Sequence, residues 1–193
     1  MNPIDDVVAH LSKTNTATDE NTIYVTDMVK CSHYRVLVLK NPQLRAVTTP
    51  GALIGTLIHE GLGKVLGELG YLTEAAVEVE VNGVRVVGRV DAVDDKYIYE
   101  FKYSTGTGEP QPQHILQLKI YLYMWLRVNG EKKKGKLIYI TPSGVKEHVV
   151  DGPVSEDEFE KLVEETVEDR KAPRWRGECF KCPLYYYCDK AKK

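Results

Sequence analysis

The chain has 193 residues, of which 42% are hydrophobic and 28% are charged, and its formal net charge at pH 7 is −2. A chain of this length predicts a single domain, residues 1–193, with a sizeable hydrophobic core. The near-neutral charge excludes a globally basic coat for nucleic acid but not local basic patches. No stretch has the roughly 20 apolar residues of a membrane span, and the acidic N-terminal sequence lacks the order of a signal peptide. We therefore expect a cytoplasmic protein without membrane association.

Helical and strand-like patterns follow one another along the chain. Helices are predicted at residues 52–70, 113–128 and 155–170, and strands at residues 75–81, in both halves of 84–104, at 136–140 and at 145–150. Asn82-Gly83 is typical of a tight hairpin turn, so the first three strands are expected to be antiparallel. Prolines 42 and 50 predict a loop at residues 41–51.

The first predicted helix carries a histidine between two glycines. Gly55, His59 and Gly63 are spaced by four residues and therefore lie on one face. One interpretation is close packing over the glycines, with a hydrogen-bonded histidine in the interior. The other is that the glycines allow backbone or a bound molecule to approach while His59 points into a cleft.

The second and third strands form a hairpin with charges on alternate positions. Because side chains alternate along a strand, a loop of two or of four residues places Asp91, Glu100 and Lys102 on the same face. A four-residue loop puts Asp91 opposite Glu100. The other face is expected to lie in the core, and its residues are Val90, Ala92, Tyr97, Tyr99 and Phe101.

Two carboxylates on one pleated face predict a metal site. Without a cation, neighbouring carboxylates repel each other and at least one is driven toward protonation. A divalent ion removes this conflict, and hard cations prefer oxygen ligands. The alternative is a solvated hairpin face on which Glu100 and Lys102 form an exposed ion pair.

Three clustered cysteines and one distant cysteine form a second candidate site. Cys179, Cys182 and Cys188 have the spacing C-x2-C-x5-C, and Cys31 lies far upstream. In a reducing compartment such a set binds a metal or a cluster more often than it forms disulfides. Four thiolates suit a zinc ion or an iron–sulfur cluster, and the spacing alone leaves both open. Either would tie the two ends of the chain together and stabilise the fold.

These motifs occur together in one order. Gly55-x-x-x-His59, Gly88-x-x-Asp91, Glu100-x-Lys102 and Gln117-x-x-x-Tyr121 stand between Cys31 and the three C-terminal cysteines. In this combination the sequence resembles the RecB-like nucleases of the PD-(D/E)XK superfamily. More narrowly, it resembles the CRISPR-associated RecB-family exonucleases that carry an iron–sulfur cluster. One departure is Ser-His-Tyr-Arg after Cys31, where the family often has proline and basic residues.

The resemblance implies an α/β fold and a role. The fold is a restriction-endonuclease-like core, a mixed sheet flanked by helices, with residues 173–193 and Cys31 forming an iron–sulfur cluster region. The implied activity is a DNA exonuclease, commonly on single strands from a 5′ end. It would trim DNA fragments for insertion into a CRISPR array, alongside the integrase.

The resemblance also implies the cofactors and their ligands. Manganese or magnesium is expected at His59, Asp91, Glu100 and the backbone carbonyl of Phe101. The cluster, 4Fe–4S more often than 2Fe–2S, is expected at Cys31, Cys179, Cys182 and Cys188.

Each catalytic residue has an expected role. The carboxylates of Asp91 and Glu100 would hold an ion that polarises the scissile phosphate and acidifies water. A nitrogen ligand favours manganese over magnesium. Lys102 would stabilise the transition state or position the water, and Gln117 and Tyr121 would orient the water or the DNA backbone.

Cations and aromatic rings in the tail predict contact with an unstacked DNA strand. These residues are Arg174, Trp175, Arg176, Phe180 and Tyr185 to Tyr187. Alternatively, the aromatic rings pack around the cluster.

A function of a different class is a non-catalytic DNA-binding or scaffold subunit with an iron–sulfur or zinc site. The presence of Lys102 beside two carboxylates argues against it. A redox protein is the third option, and no flavin or nicotinamide motif supports it.

Overall fold

A computed structural model describes residues 6–7, 20–46 and 50–191. Residues 1–5, 8–19, 47–49 and 192–193 of the predicted domain, including part of the predicted loop at 41–51, lie outside the described residues. Within the described loop, Pro42–Ala46 forms a 3-10 helix. No helix in the described part of the chain is long and apolar enough to cross a membrane.

A six-stranded mixed sheet forms the centre of the molecule. Its strands are β1 (Thr22–Tyr24), β2 (Leu72–Val81), β3 (Val84–Val93), β4 (Tyr97–Tyr103), β5 (Lys134–Thr141) and β6 (Gly144–Val150). Along one edge β3 pairs with β2; along the other it pairs with β1 near its start and β4 near its end. β4 and β5 are parallel, and β5 and β6 are antiparallel. The predicted mixed sheet is confirmed, whereas the short parallel strand β1 was not predicted.

Five α-helices accompany the sheet in the described chain. They are α1 (Val25–Met28), α2 (Ser32–Lys40), α3 (Pro50–Glu68), α4 (Pro112–Asn129) and α5 (Glu156–Val167). Ser155 caps α5 by accepting a hydrogen bond from the Glu158 amide, as its sequence predicts. The helix ends three residues earlier than expected, and Asp169 just beyond it has a left-handed φ of 56°.

The core lies between the sheet and helices α4 and α5. Residues from β1, β3, α4, β5 and α5 form one buried apolar cluster. Helix α3 is different, because Gly63 is the one buried residue described along it. Apolar side chains such as Leu57 and Leu69 on α3 are 48% and 69% exposed. Helix α3 therefore lies at the periphery, over the carboxylate-bearing end of the hairpin.

The predicted hairpin is confirmed, with a loop of four residues. Ala92 pairs with Tyr99, and Val93 pairs with Ile98. The Asp94 carboxylate closes the turn by accepting hydrogen bonds from the amides of Lys96 and Tyr97. Turn chemistry of this kind is what short polar side chains provide.

The expected burial of the hairpin faces is wrong in part. Tyr97 and Tyr99 are half-buried, and the ammonium group of Lys136 lies 4.4 Å from the centre of the Tyr97 ring. Ile98 and Glu100, on the charged face, are 0% and 1% exposed. The reason is that α4 covers this side of the sheet. A methyl group added at Gly135, the partner of Ile98 on β5, would lie 2.8 Å from the Leu118 side chain of α4.

Candidate active site and cysteine cluster

Asp91 lies where β4 separates from β3. The two strands pair only through the two residues that follow Asp91. Instead of a backbone ladder, the Asp91 oxygen Oδ2 accepts a hydrogen bond of 2.7 Å from the Phe101 amide. Its Oδ1 lies 3.0 Å from Nδ1 of His59 on α3. The hydrogen bond to Asp91 raises the pKa of His59, against the opposing effect of burial. One carboxylate thus joins helix α3 to both strands of the hairpin.

Glu100 is buried with one oxygen bonded and one oxygen free. Lys102 donates a hydrogen bond of 2.5 Å to Oε1, whereas Oε2 has no partner among the described residues. Burial raises the pKa of Glu100 to about 7, and the charge of Asp91 adds to this rise. Burial would lower the pKa of Lys102, but Glu100 and Asp91 raise it above its usual value.

These groups have the chemistry of a divalent-cation site. A buried carboxylate oxygen without a partner, next to a second carboxylate and an imidazole, offers ligands that divalent ions bind. In the described chain the three ligand atoms do not all lie within 4.8 Å of one another, and Lys102 holds one oxygen of Glu100. Phe101, whose carbonyl is the fourth expected ligand, donates its backbone amide to Asp91.

Gln117 and Tyr121 lie behind the hairpin on α4, 6% and 3% exposed. The Gln117 amide donates a hydrogen bond of 3.4 Å to the Tyr121 hydroxyl. Burial raises the pKa of Tyr121, and the charge of Glu100 adds to it. The ring packs on Gly88, where an added methyl carbon would lie only 2.6 Å from it. The motif glycine on β3 therefore makes room for the motif tyrosine.

The glycines of α3 do not serve close packing. A methyl group at Gly55 would have no described atom within 4 Å, and one at Gly63 would make ordinary contacts at 3.7 Å with Glu74. The side chain of His59 is 27% exposed and faces Asp91. The glycines therefore do not pack closely against described atoms, His59 is hydrogen-bonded to Asp91, and its position in a cleft stays a prediction.

The four cysteines line one pocket. Cys31 immediately precedes α2, and the other three flank two short 3-10 helices, Glu178–Lys181 and Tyr185–Tyr187. The pocket is also lined by Tyr34, Leu37 and Tyr185. Burial raises the pKa of the Cys31 thiol to about 11, so a bound metal would have to displace its proton.

The four cysteine sulfur atoms are not drawn together as tightly as ligands around one bound ion. Around a zinc ion, thiolates at about 2.3 Å bring their sulfur atoms within roughly 4 Å of one another. In the described chain no three cysteine sulfurs lie within 4.8 Å of one another; that condition is met by His33, Cys188 and Asp189. Four thiols around one pocket are a donor set that suits a zinc ion or an iron–sulfur cluster.

Two residues that the sequence did not point to join the cysteine segments. The Glu178 carboxylate accepts hydrogen bonds from the backbone amides of Cys31, Arg174 and Trp175. His33 lies between two carboxylates, with Nδ1 2.6 Å from Asp169 and Nε2 2.7 Å from Asp189. Ser32 and His33 belong to the stretch that departs from the family pattern, and that departure was the available signal.

The tail divides into buried and exposed parts. The Arg174 side chain is 6% exposed and paired with Glu165, and the Trp175 indole donates a hydrogen bond to the Val29 carbonyl. Both side chains therefore make contacts within the fold, and their expected contact with DNA stays a prediction. Phe180, Tyr186 and Tyr187 are 79%, 94% and 62% exposed. These three rings form the exposed aromatic patch.

Known proteins are similar to this chain in sequence and in architecture. The PD-(D/E)XK nuclease superfamily matches residues 52–190. The CRISPR-associated exonuclease Cas4 of Saccharolobus solfataricus is 33% identical over 187 residues, which cover 88% of each chain. The crystal structure of SSO0001 superposes with a TM-score of 0.85 and 30% identity over 98% of each chain.

The match over most of the chain defines the class first: this is a nuclease of the PD-(D/E)XK superfamily, whose members use divalent metals. Within that superfamily, the chain belongs to the family of the CRISPR-associated Cas4 exonuclease.

Proposed function

We propose that this protein is a manganese- or magnesium-dependent DNA exonuclease that degrades single strands from the 5′ end. The observation that carries this proposal is the free, buried Oε2 of Glu100 beside Asp91 and His59. Such an arrangement is costly in a metal-free protein, because it combines a buried orphan acceptor with two neighbouring carboxylates. Mere binding of DNA does not require it.

The residues of this site divide the work. Asp91, Glu100, His59 and the carbonyl of Phe101 would hold the ion. When bound, that ion stabilises negative charge on the phosphate and acidifies a water molecule. Lys102, kept protonated by the two carboxylates, contributes a fixed positive charge for the phosphate oxygens in the transition state.

Gln117 and Tyr121 act from behind the hairpin. Because both are buried, we propose that they fix the positions of Asp91 and Glu100 and do not touch DNA themselves. The tight contact between Tyr121 and Gly88 keeps the strand in place next to Asp91, three residues further along.

The four cysteines would hold an iron–sulfur cluster, 4Fe–4S in preference to 2Fe–2S. The convergence of all four cysteines on one pocket supports this assignment. We further propose that the enzyme trims DNA fragments during CRISPR adaptation, together with the integrase. The name of its relative supports a CRISPR-associated role.

The test is cleavage of 5′- and 3′-labelled single strands by anaerobically purified protein, with manganese, magnesium, calcium or EDTA. We expect stepwise shortening from the 5′ end with manganese or magnesium, and none with EDTA. Asp91→Asn, which keeps the shape of the side chain, should abolish cleavage. Cleavage by Asp91→Asn at the wild-type rate would show that the site is wrong. A wild-type protein that binds DNA without cutting it would favour the non-catalytic scaffold instead.

A further inference from the structure

Tyr139 lies on the strand next to the candidate active site. On β5 it is the direct partner of Lys102 on β4, and adjacent strands are about 4.8 Å apart. Its side chain is 2% exposed. The Tyr139 hydroxyl reaches the beginning of α4, where it meets Gln111 and His114.

The hydroxyl of Tyr139 contacts one nitrogen of His114. The Gln111 amide donates to the Tyr139 oxygen at 3.0 Å, and that oxygen lies 2.7 Å from Nδ1 of His114. The hydroxyl has one proton to donate, and when it donates this proton to Nδ1 the imidazole carries its own proton on Nε2. Burial lowers the pKa of His114 to about 3, and the ammonium groups of Lys102 and Lys30 add to this effect. The ring is therefore neutral near pH 7.

His114 lies near the start of α4, on the same face as Gln117 and Tyr121. His114, Gln117 and Tyr121 are spaced by three and four residues and so share one face of the helix. Nε2 has no hydrogen-bond partner among the described residues, and it is not fully buried. It thus presents an N–H group to solvent near two cations, which favour an anionic acceptor.

We propose that His114 binds a phosphate oxygen of the DNA strand, next to the scissile phosphate, as a neutral donor whose orientation is fixed by Tyr139. This inference rests on the proposed nuclease function and adds a DNA-binding residue to it. Lys102 is engaged by Glu100, so a second donor is needed to hold the strand beside it. A neutral ring can do this without competing with the carboxylates for the metal.

The experiment compares three variants with the wild type. His114→Leu removes the donor, His114→Gln replaces it with an amide donor, and Tyr139→Phe removes only the hydroxyl that orients the ring. Affinity for a labelled single strand is measured in calcium, and KM and kcat are measured in manganese. Circular dichroism and thermal melting test each variant for folding.

We expect His114→Leu to weaken binding and raise KM by about tenfold or more, as loss of a hydrogen bond to a charged group does. The change in kcat should be smaller, and His114→Gln should recover most of the affinity. Tyr139→Phe should weaken binding less than His114→Leu does. Wild-type affinity for His114→Leu, or no recovery in His114→Gln, would overturn the inference.

Nitrogen NMR of the free protein tests the tautomer independently of activity. We expect His114 to carry its proton on Nε2 and to remain neutral from about pH 5 to 8. A proton on Nδ1, or titration within this range, would overturn the assignment. If the wild type neither binds nor cleaves DNA, the proposed function fails together with this inference. If the wild type is active and His114→Leu equals it, only the inference fails.

Discussion

At the scale of single residues, the candidate site combines a buried carboxylate with a second carboxylate nearby, which is electrostatically unfavourable. Glu100 is buried with a free oxygen, and its closest counter-charge, Lys102, binds only the other oxygen. Asp91 adds a second negative charge. This cost is expected where a cation is to bind, because the ion then supplies the missing partner. It also makes the metal-free protein sensitive to pH.

The first prediction is a loss of stability of the metal-free protein as pH rises. The pKa of Glu100 is about 7 in the folded state and about 4.3 when unfolded. Its contribution is therefore complete below the unfolded value and disappears as pH rises through the folded value. We expect a loss of about 3 kcal/mol between roughly pH 4 and 7. Thermal or urea unfolding in EDTA across this range measures it.

Glu100→Gln is the control for that titration. The variant keeps the side-chain shape but has no charge at this position, so its stability should lack this component of the pH dependence. Manganese at pH 7 should stabilise the wild type and leave Glu100→Gln nearly unchanged. Identical pH profiles for the two proteins would show that Glu100 is not the titrating group.

A second prediction separates the role of Lys102 from that of the metal ligands. Lys102→Met removes the ammonium group but keeps an unbranched apolar side chain. We expect a lower cleavage rate, by about a hundredfold as for other charge-stabilising groups, with manganese affinity largely kept. Calorimetric titration with manganese and single-turnover kinetics measure the two effects. Loss of manganese binding would mean that Lys102 supports the ligands instead.

At the scale of elements, the packing of α4 on the sheet positions the site. Two glycines allow this contact: Gly88 on β3 receives Tyr121, and Gly135 on β5 receives Leu118. A methyl group at either position would lie within 2.8 Å of a side chain on α4. Only the first contact lies beside the carboxylates, so the two glycines provide a matched pair.

The third prediction uses this pair. Gly88→Ala and Gly135→Ala should each lower the free energy of unfolding by about 1–3 kcal/mol, since both overpack the same interface. Gly88→Ala should in addition lower kcat, because Tyr121 is displaced next to Asp91. Urea unfolding and manganese-dependent cleavage are measured on both variants. Equal kcat values would show that the helix contact affects only stability.

How far the sequence predicts these elements depends on the range of the interactions. Asn82-Gly83 specified its turn locally, and both residues have the positive φ, 52° and 77°, that such a hairpin turn needs. The four-residue loop of the hairpin also lay within the predicted alternatives. Burial of Glu100 instead of Tyr97 was not predictable, because it depends on which face α4 covers. The local sequence around Glu100 does not predict where a helix that begins 12 residues later will pack.

At the scale of the whole molecule, hydrogen bonds join the two ends of the described fold next to the cysteine pocket. Glu178 binds the Cys31 amide across 147 residues, and the Ser32 amide binds the Lys171 carbonyl. Contacts of this range leave no periodic signal in the sequence, which explains why Glu178 and His33 were missed. These hydrogen bonds hold the ends together independently of the cysteine side chains.

The fourth prediction separates these two contributions. Cys182→Ala should remove the iron–sulfur absorption and lower the melting temperature of the cluster-loaded protein toward that of the metal-free form. In the metal-free form it should change the melting temperature little. Glu178→Ala should destabilise both forms, by about 2–4 kcal/mol, since three amides lose a charged acceptor. Visible spectra, iron and zinc content and melting curves measure these effects. Colourless wild-type protein with one zinc per chain would refute the cluster.

The fifth prediction concerns how the tail meets DNA. The Trp175 indole and the Arg174 guanidinium form hydrogen bonds within the fold. We therefore expect DNA bases to stack on the exposed aromatic patch of Phe180, Tyr186 and Tyr187. Each ring should contribute about 1–3 kcal/mol to the binding of single strands and little to that of blunt duplex. Tyr186→Ala should therefore weaken single-strand binding about fivefold or more without changing the melting temperature, whereas Trp175→Phe should lower the melting temperature. Fluorescence anisotropy in calcium, with both DNA forms, measures the affinities. Equal losses for both DNA forms, or none for Tyr186→Ala, would remove the patch from the DNA path.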